Sequence, residues 1–158
     1  MKLEFNPENK KKLEKILTRY PTRRAAILPV LWLAQEQFGT ISPEVMEYVG
    51  TLLDLPPVKV YEVVTFYTMF NQKPVGKYHF QVCRTLSCEL CGKEEIVEYL
   101  KKKLGIKVGE TTPDGRFTLS EVECLGSCGT APMMQVSNKD FYENLTVAKI
   151  DQILEKMK

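Results

Sequence analysis

With 158 residues, the chain has room for one ordinary domain or two small ones. Its 44% hydrophobic and 27% charged residues are those of a soluble globular protein, and a net charge of +2 gives no electrostatic case for nucleic acid or an acidic membrane surface. No apolar stretch approaches the roughly 20 residues of a membrane span, and the first residues, MKLEFNPENKKK, lack the apolar run of a signal peptide and the Ser and Arg content of a transit peptide. The expected compartment is therefore the cytoplasm, where thiols stay reduced.

The first half reads as helical. Asn6-Pro7 has the form of an N-cap followed by proline at the first helical position, and Leu13, Ile16, Leu17 and Tyr20 follow at helical spacing up to Pro21. The run Lys10-Lys11-Lys12 fits the solvated face of that helix. A second helix is expected over 23–38, with Ile27, Leu31, Ala34 and Phe38 on one face, Pro29 as an internal break, and Gly39 closing it. Ser42-Pro43-Glu44 opens a third, to Leu52. A fourth is expected over 57–70. The β-branched and aromatic run Val63 to Phe70 favours a strand by propensity, but the spacing of Val60, Val63, Val64 and Tyr67 favours a buried helix.

Asn71 to Lys77 (NQKPVGK) reads as a linker, which divides the chain into a helical domain at 1–73 and a second domain at 74–158. There the rhythm changes. Tyr78 to Val82 is a strand and Glu94 to Leu104 an amphipathic helix. Pro113-Asp114-Gly115 turns into a second strand over 116–123. Met133–Val136 and Phe141-Tyr142 form a hairpin, and Thr146 caps a last helix bearing Val147, Ile150, Ile153 and Leu154. The order is β-α-β-loop-β-β-α, which resembles a thioredoxin-like arrangement with one helix replaced by a loop. The fold class is α+β, an N-terminal helical bundle followed by a thioredoxin-like α/β domain. Pro132 precedes a strand where thioredoxins carry a cis proline, so a cis Ala131–Pro132 bond is an expectation.

All five cysteines lie between 83 and 128. Four form two pairs, Cys83-x4-Cys88 and Cys124-x3-Cys128. An odd number in a reducing compartment favours metal ligation over disulfides. If the first two strands run parallel, Cys83 and Cys124 leave the sheet at the same edge, where ligand sites of such sheets gather. A cluster of two irons and two sulfides held by four thiolates is doubly negative, and more so when reduced. Backbone N–H groups near Ser87-Cys88 and from Leu125 to Gly129 are candidate donors to it, and Gly126 and Gly129 let the backbone come close. Arg84 is a nearby cation whose ordinary state is solvated.

Structural zinc sites mostly use C-x2-C knuckles, so the x4 and x3 spacings fit [2Fe–2S] better than zinc, which stays as an alternative. A [4Fe–4S] site lacks its C-x2-C-x2-C run. A Rieske centre needs two histidines, and His79 stands alone in a strand where it reads as structural. Cys88-Glu89-Leu90-Cys91 is a C-x-x-C that a dithiol oxidoreductase could use, but this leaves three cysteines without work. No P-loop, dinucleotide fingerprint, zinc-protease motif or Ser/His/Asp set is present; Gly126-Ser127-Cys128-Gly129 only superficially suggests a nucleophile turn.

The segments C-R-T-L-S-C (83–88), G-E-T-T-P-D-G-R-F-T-L-S-E-V-E-C-L-G-S-C-G-T-A-P (109–132) and V-T-F-Y-T-M-F (64–70) closely resemble the thioredoxin-like [2Fe–2S] subunit of NADH:quinone oxidoreductase, respiratory complex I, along essentially the whole chain. The resemblance implies Cys83, Cys88, Cys124 and Cys128 as ligands of one [2Fe–2S] cluster, and leaves Cys91 outside the set. It also implies a partner, an F-type subunit that binds FMN and NADH and carries a [4Fe–4S] cluster, and a place in the peripheral arm at the inner face of the cell membrane. Related subunits occur in NAD-linked hydrogenases and formate dehydrogenases. No catalytic residue is implied in this chain itself, whose work would be single-electron exchange with the partner's flavin.

Overall fold

A computed structural model of the chain describes residues 3–157. Contacts divide the chain into two compact units, Met1–Pro74 and Val75–Lys158.

The first unit is built of helices whose ends follow local chemistry. In α1 (Pro7–Leu17) the Asn6 side chain accepts from the Asn9 N–H at 2.8 Å. In α3 (Pro43–Leu53) the Ser42 hydroxyl accepts from the Val45 N–H. These contacts satisfy donors that the first turn leaves without partners. A 3-10 turn at Arg24–Ala26 precedes α2 (Ile27–Phe38). Pro29 therefore lies in the first turn of α2, where no carbonyl awaits its missing donor, and the expected internal break falls before the helix instead.

The fourth helix, α4 (Pro57–Phe66), is shorter than its periodicity suggests. Beyond it, Tyr67 turns to extended backbone and the Phe70 N–H closes a turn on the Tyr67 carbonyl. The reason lies in α2. The Gln35 amide donates to the Met69 carbonyl at 2.9 Å and accepts from the Asn71 N–H at 2.6 Å. A side chain thus takes backbone groups that a longer helix would have paired, while Phe70 is buried in the core with Val30, Leu31, Val49 and Val64. The lysines of α1 stay on its solvated face, with Lys10 on Glu4 and Lys12 on Glu8.

The second unit is a four-stranded mixed sheet in the order β2-β1-β3-β4. Strand β1 (Tyr78–Cys83) runs parallel to β2 (Phe117–Val122) and antiparallel to β3 (Met134–Val136), which pairs with β4 (Asp140–Tyr142). Between β1 and β2 come a five-residue helix, α5 (Leu86–Leu90), and then α6 (Lys93–Leu104). The last helix is α7 (Val147–Lys156). Phe80, Leu119 and Met134 of the sheet pack with Val97 and Leu100 of α6 and with Ile150 and Ile153 of α7. Burying these side chains is the main favourable term. The Ala131–Pro132 bond is cis, as the sequence pattern suggests. Cys88 sits in α5, the helix that follows β1, and Gly92 separates it from the longer α6.

Two features of this unit generate tests. Gly76 lies against the start of β2, where an added Cβ would stand 2.8 Å from the Arg116 carbonyl carbon and 2.9 Å from its oxygen, while the Gly76 N–H donates to Thr118 Oγ1. Gly76→Ala is expected to destabilise the protein by about 1–3 kcal/mol in chemical denaturation; a change within about 0.5 kcal/mol would mean that the strand yields freely. His79 is buried in β1 with Nε2 on the Ser120 hydroxyl at 2.8 Å and no partner on Nδ1 among the described residues. Burial lowers its pKa from 6.5 to about 4, so the imidazole is neutral in the fold and takes up a proton more readily in the unfolded chain. Its stabilising contribution is therefore full above about pH 6.5 and is lost as pH falls toward about 4. Urea titrations across that window should show His79→Gln losing less stability toward acid than the wild-type chain; equal slopes would exclude His79 as the cause.

Candidate metal centre

The central strand β1 delivers Cys83 at its C-terminal end, in register with Val122 of β2. Because the two strands are parallel, β2 ends at the same edge, and Cys124 follows two residues on. Strand β3 runs the other way, so its approach, Ala131-Pro132-Met133, returns to this edge, and the Cys83 N–H donates to the Met133 carbonyl at 3.1 Å. Helix α5 leaves the edge carrying Cys88, and a 3-10 turn at Cys128–Thr130 carries Cys128. Topology thus gathers the four paired cysteines from four separate segments.

The pairs differ in burial. Cys83 and Cys88 are 2% and 1% exposed and pack with Met133, Leu125 and Ala131. Cys124 and Cys128 are exposed, their sulfurs 3.5 Å apart. Cys91 is also exposed, at the C-terminal end of α5. Among the described residues no three His, Cys, Asp or Glu side chains stand around one ion-sized point. A two-iron cluster asks for a different arrangement, one thiolate pair per iron with sulfides between.

The electrostatics show the sulfurs competing for charge. Burial pushes the Cys83 thiol up, but the Thr85 hydroxyl and N–H, the neighbouring Cys88 and the Leu125 N–H outweigh it and leave its pKa below the ordinary value. Burial and the nearness of Cys83 push Cys88 up to about 11, against the Met133 N–H. The Gly126 N–H, 3.4 Å from the sulfur, lowers Cys124, helped by Cys128 and Thr85. The hydrogen bond with Cys124, and then its charge, in turn raise Cys128. Each pair therefore keeps one proton more firmly than the other, and a cation that replaces those protons relieves the repulsion. Gly126 has φ +81, a conformation most side chains disfavour, and this is what aims its N–H at Cys124. Donor groups with four thiols in two pairs suit a negatively charged cluster.

Of the expected donors, those at 125 and 126 point at sulfur, while that of Met133 was not among them. Arg84 pairs at the surface with Glu123. Two supports escape a reading of the sequence. Lys93, largely buried, holds Glu89, Glu94 and Glu121 at 2.9–3.0 Å and thereby ties α5 to β2; its pKa is raised, first by the Glu121 contact. Glu143 accepts from the Ser127 and Thr130 hydroxyls on either side of Cys128. Ser127 is thus committed to holding its loop. A lysine amid glutamates on a helix has only the pattern of a solvated face, and Glu143 stands beyond β4, so neither had a local signal.

Residues 13–158 match the family model of thioredoxin-like [2Fe-2S] ferredoxins. The E-type subunit of the NADH-quinone oxidoreductase of Rickettsia conorii is 50% identical over 156 residues, covering 97% of this chain and 93% of the relative. An E-type subunit of the NADH-quinone oxidoreductase of Rhizobium meliloti is 48% identical over 146 residues, covering 92% and 86%. Among solved structures, an NAD+-reducing [NiFe]-hydrogenase in the air-oxidized state superposes with a TM-score of 0.68 on 80% of this chain and 22% of that one, at 23% identity, a likeness of fold. The chain belongs to the thioredoxin-like [2Fe–2S] ferredoxin family, whose one cluster is the cofactor that the two thiol pairs at the sheet edge fit.

Proposed function

We propose that this chain is the electron-carrying E-type subunit of an NADH-quinone oxidoreductase, that Cys83, Cys88, Cys124 and Cys128 hold its [2Fe–2S] cluster, and that it exchanges single electrons with the FMN of a partner F-type subunit that binds NADH. The observation that carries this is the meeting of two thiol pairs at one sheet edge in a chain about half identical to E-type relatives along nearly its whole length. The hydrogenase likeness is one of fold at low identity, so the oxidoreductase is the favoured parent complex.

When bound, the cluster supplies one-electron chemistry. The protein's residues do the rest. Met133, Leu125 and Ala131 keep water from Cys83 and Cys88. The N–H groups of Leu125, Gly126 and Met133 are directed at sulfur and oppose the gathering of negative charge there. Cys124 and Cys128 face outward, which leaves one side of the centre open to a partner's flavin. No side chain is needed to make or break bonds; reaction with NADH belongs to the partner. The helical domain at 1–73 serves as a clamp on that partner, and the domain at 74–158 carries the cluster. Among the described residues no helix is long and apolar enough to cross a membrane; attachment to the inner face of the cell membrane would come through the complex, with this chain in the peripheral arm.

Anaerobically purified protein should show the visible absorption and, after reduction, the EPR signal of a [2Fe–2S] cluster. Serine at 83, 88, 124 or 128 should abolish most of that signal, while Cys91→Ser leaves it intact. Colourless protein with stoichiometric zinc, or loss of the signal in Cys91→Ser, would overturn the assignment. Coexpression with the neighbouring genes should yield a complex containing FMN in which NADH reduces the cluster; a chain that purifies alone beside an intact flavin subunit would remove the proposed partnership.

A further inference from the structure

Thr85 occupies the N-cap position of α5, yet its hydroxyl makes no capping bond. Threonine at such a position ordinarily accepts from an N–H of the first turn. Here the Oγ1 instead lies 3.3 Å from Cys83 Sγ, and the Thr85 N–H is directed at the same sulfur. Thr85 is half-buried, with its hydroxyl beside a sulfur of the sheltered pair. When the Cys83 sulfur is a thiolate bound to iron, the hydroxyl is the donor of the two.

We propose that Thr85 is a tuning residue of the centre, donating its hydroxyl to the Cys83 sulfur and so raising the reduction potential of the cluster that this sulfur helps to hold. This rests on the ligand assignment above. The physical reason is the added negative charge of the reduced state: a donor to sulfur stabilises that state more than the oxidised one. Replacing the hydroxyl by a methyl group of similar size removes the donor and leaves the volume filled.

The test is an EPR-monitored redox titration of the cluster-loaded chain. Thr85→Val should move the midpoint potential to a more negative value, and Thr85→Ser, which keeps the hydroxyl, should stay with the wild type. Should valine prevent cluster loading, Thr85→Ala, which adds no bulk, is titrated in its place with the same expectation. A Thr85→Val variant with full cluster content, a lowered melting temperature and an unshifted potential would show a structural part only and overturn the proposal. So would a Thr85→Ser variant shifted as far as valine. Absence of a [2Fe–2S] signal from the wild-type chain would sink the ligand assignment itself, whereas an unshifted valine variant sinks the tuning alone.

Discussion

Two thiol pairs meet at one edge of the sheet in the second unit, and the groups around them answer the repulsion that arises when such sulfurs ionise. The parallel pairing of β1 with β2 brings Cys83 and Cys124 to one edge, and the antiparallel β3 returns Met133 to the same place. Like charges at short range oppose one another strongly wherever water is kept out. The edge answers with backbone donors: Leu125 toward Cys83, Gly126 toward Cys124 and Met133 toward Cys88. A negatively charged cluster held there would meet dipoles already in place.

Supports for the thiol loops are electrostatic as well. Lys93 gathers three carboxylates from α5, α6 and β2, so the helix bearing Cys88 and the strand leading to Cys124 share one cation. Glu143 does the same for the other loop by accepting two hydroxyls that flank Cys128. Charge-assisted hydrogen bonds are stronger and more directional than neutral ones, and directional bonds define a loop that has little apolar area to bury. The difference in exposure between the pairs gives the centre a closed side and an open side. Such asymmetry fits the carrier proposed above, in which a partner's flavin would approach the open side.

In the helical unit, most boundaries follow from single residues. Asn6, Ser42 and Gly39 end or begin helices by local hydrogen bonding, so their effects are visible in a short window. Where local preference was divided, from Val63 to Phe70, the outcome came from Gln35, about thirty residues earlier in the chain. Propensity alone could not contain that information, because the deciding hydrogen bonds join segments remote in sequence.

By itself the sequence determined the α+β class, the order of elements in both halves, and two cysteine pairs whose spacings favour an iron–sulfur cluster over zinc. These are properties of short windows, set by caps, periodicity and ligand type. Only the tertiary structure decided which remote groups support the sulfurs and their loops. Met133, Lys93 and Glu143 act through contacts made when strands and loops converge, and nothing in their immediate neighbours marks them. Burial likewise separates Cys83 and Cys88 from Cys124 and Cys128, although the two pairs look alike as motifs. Charge and solvent exposure are properties of the assembled edge, since each depends on distances between residues that only folding brings together.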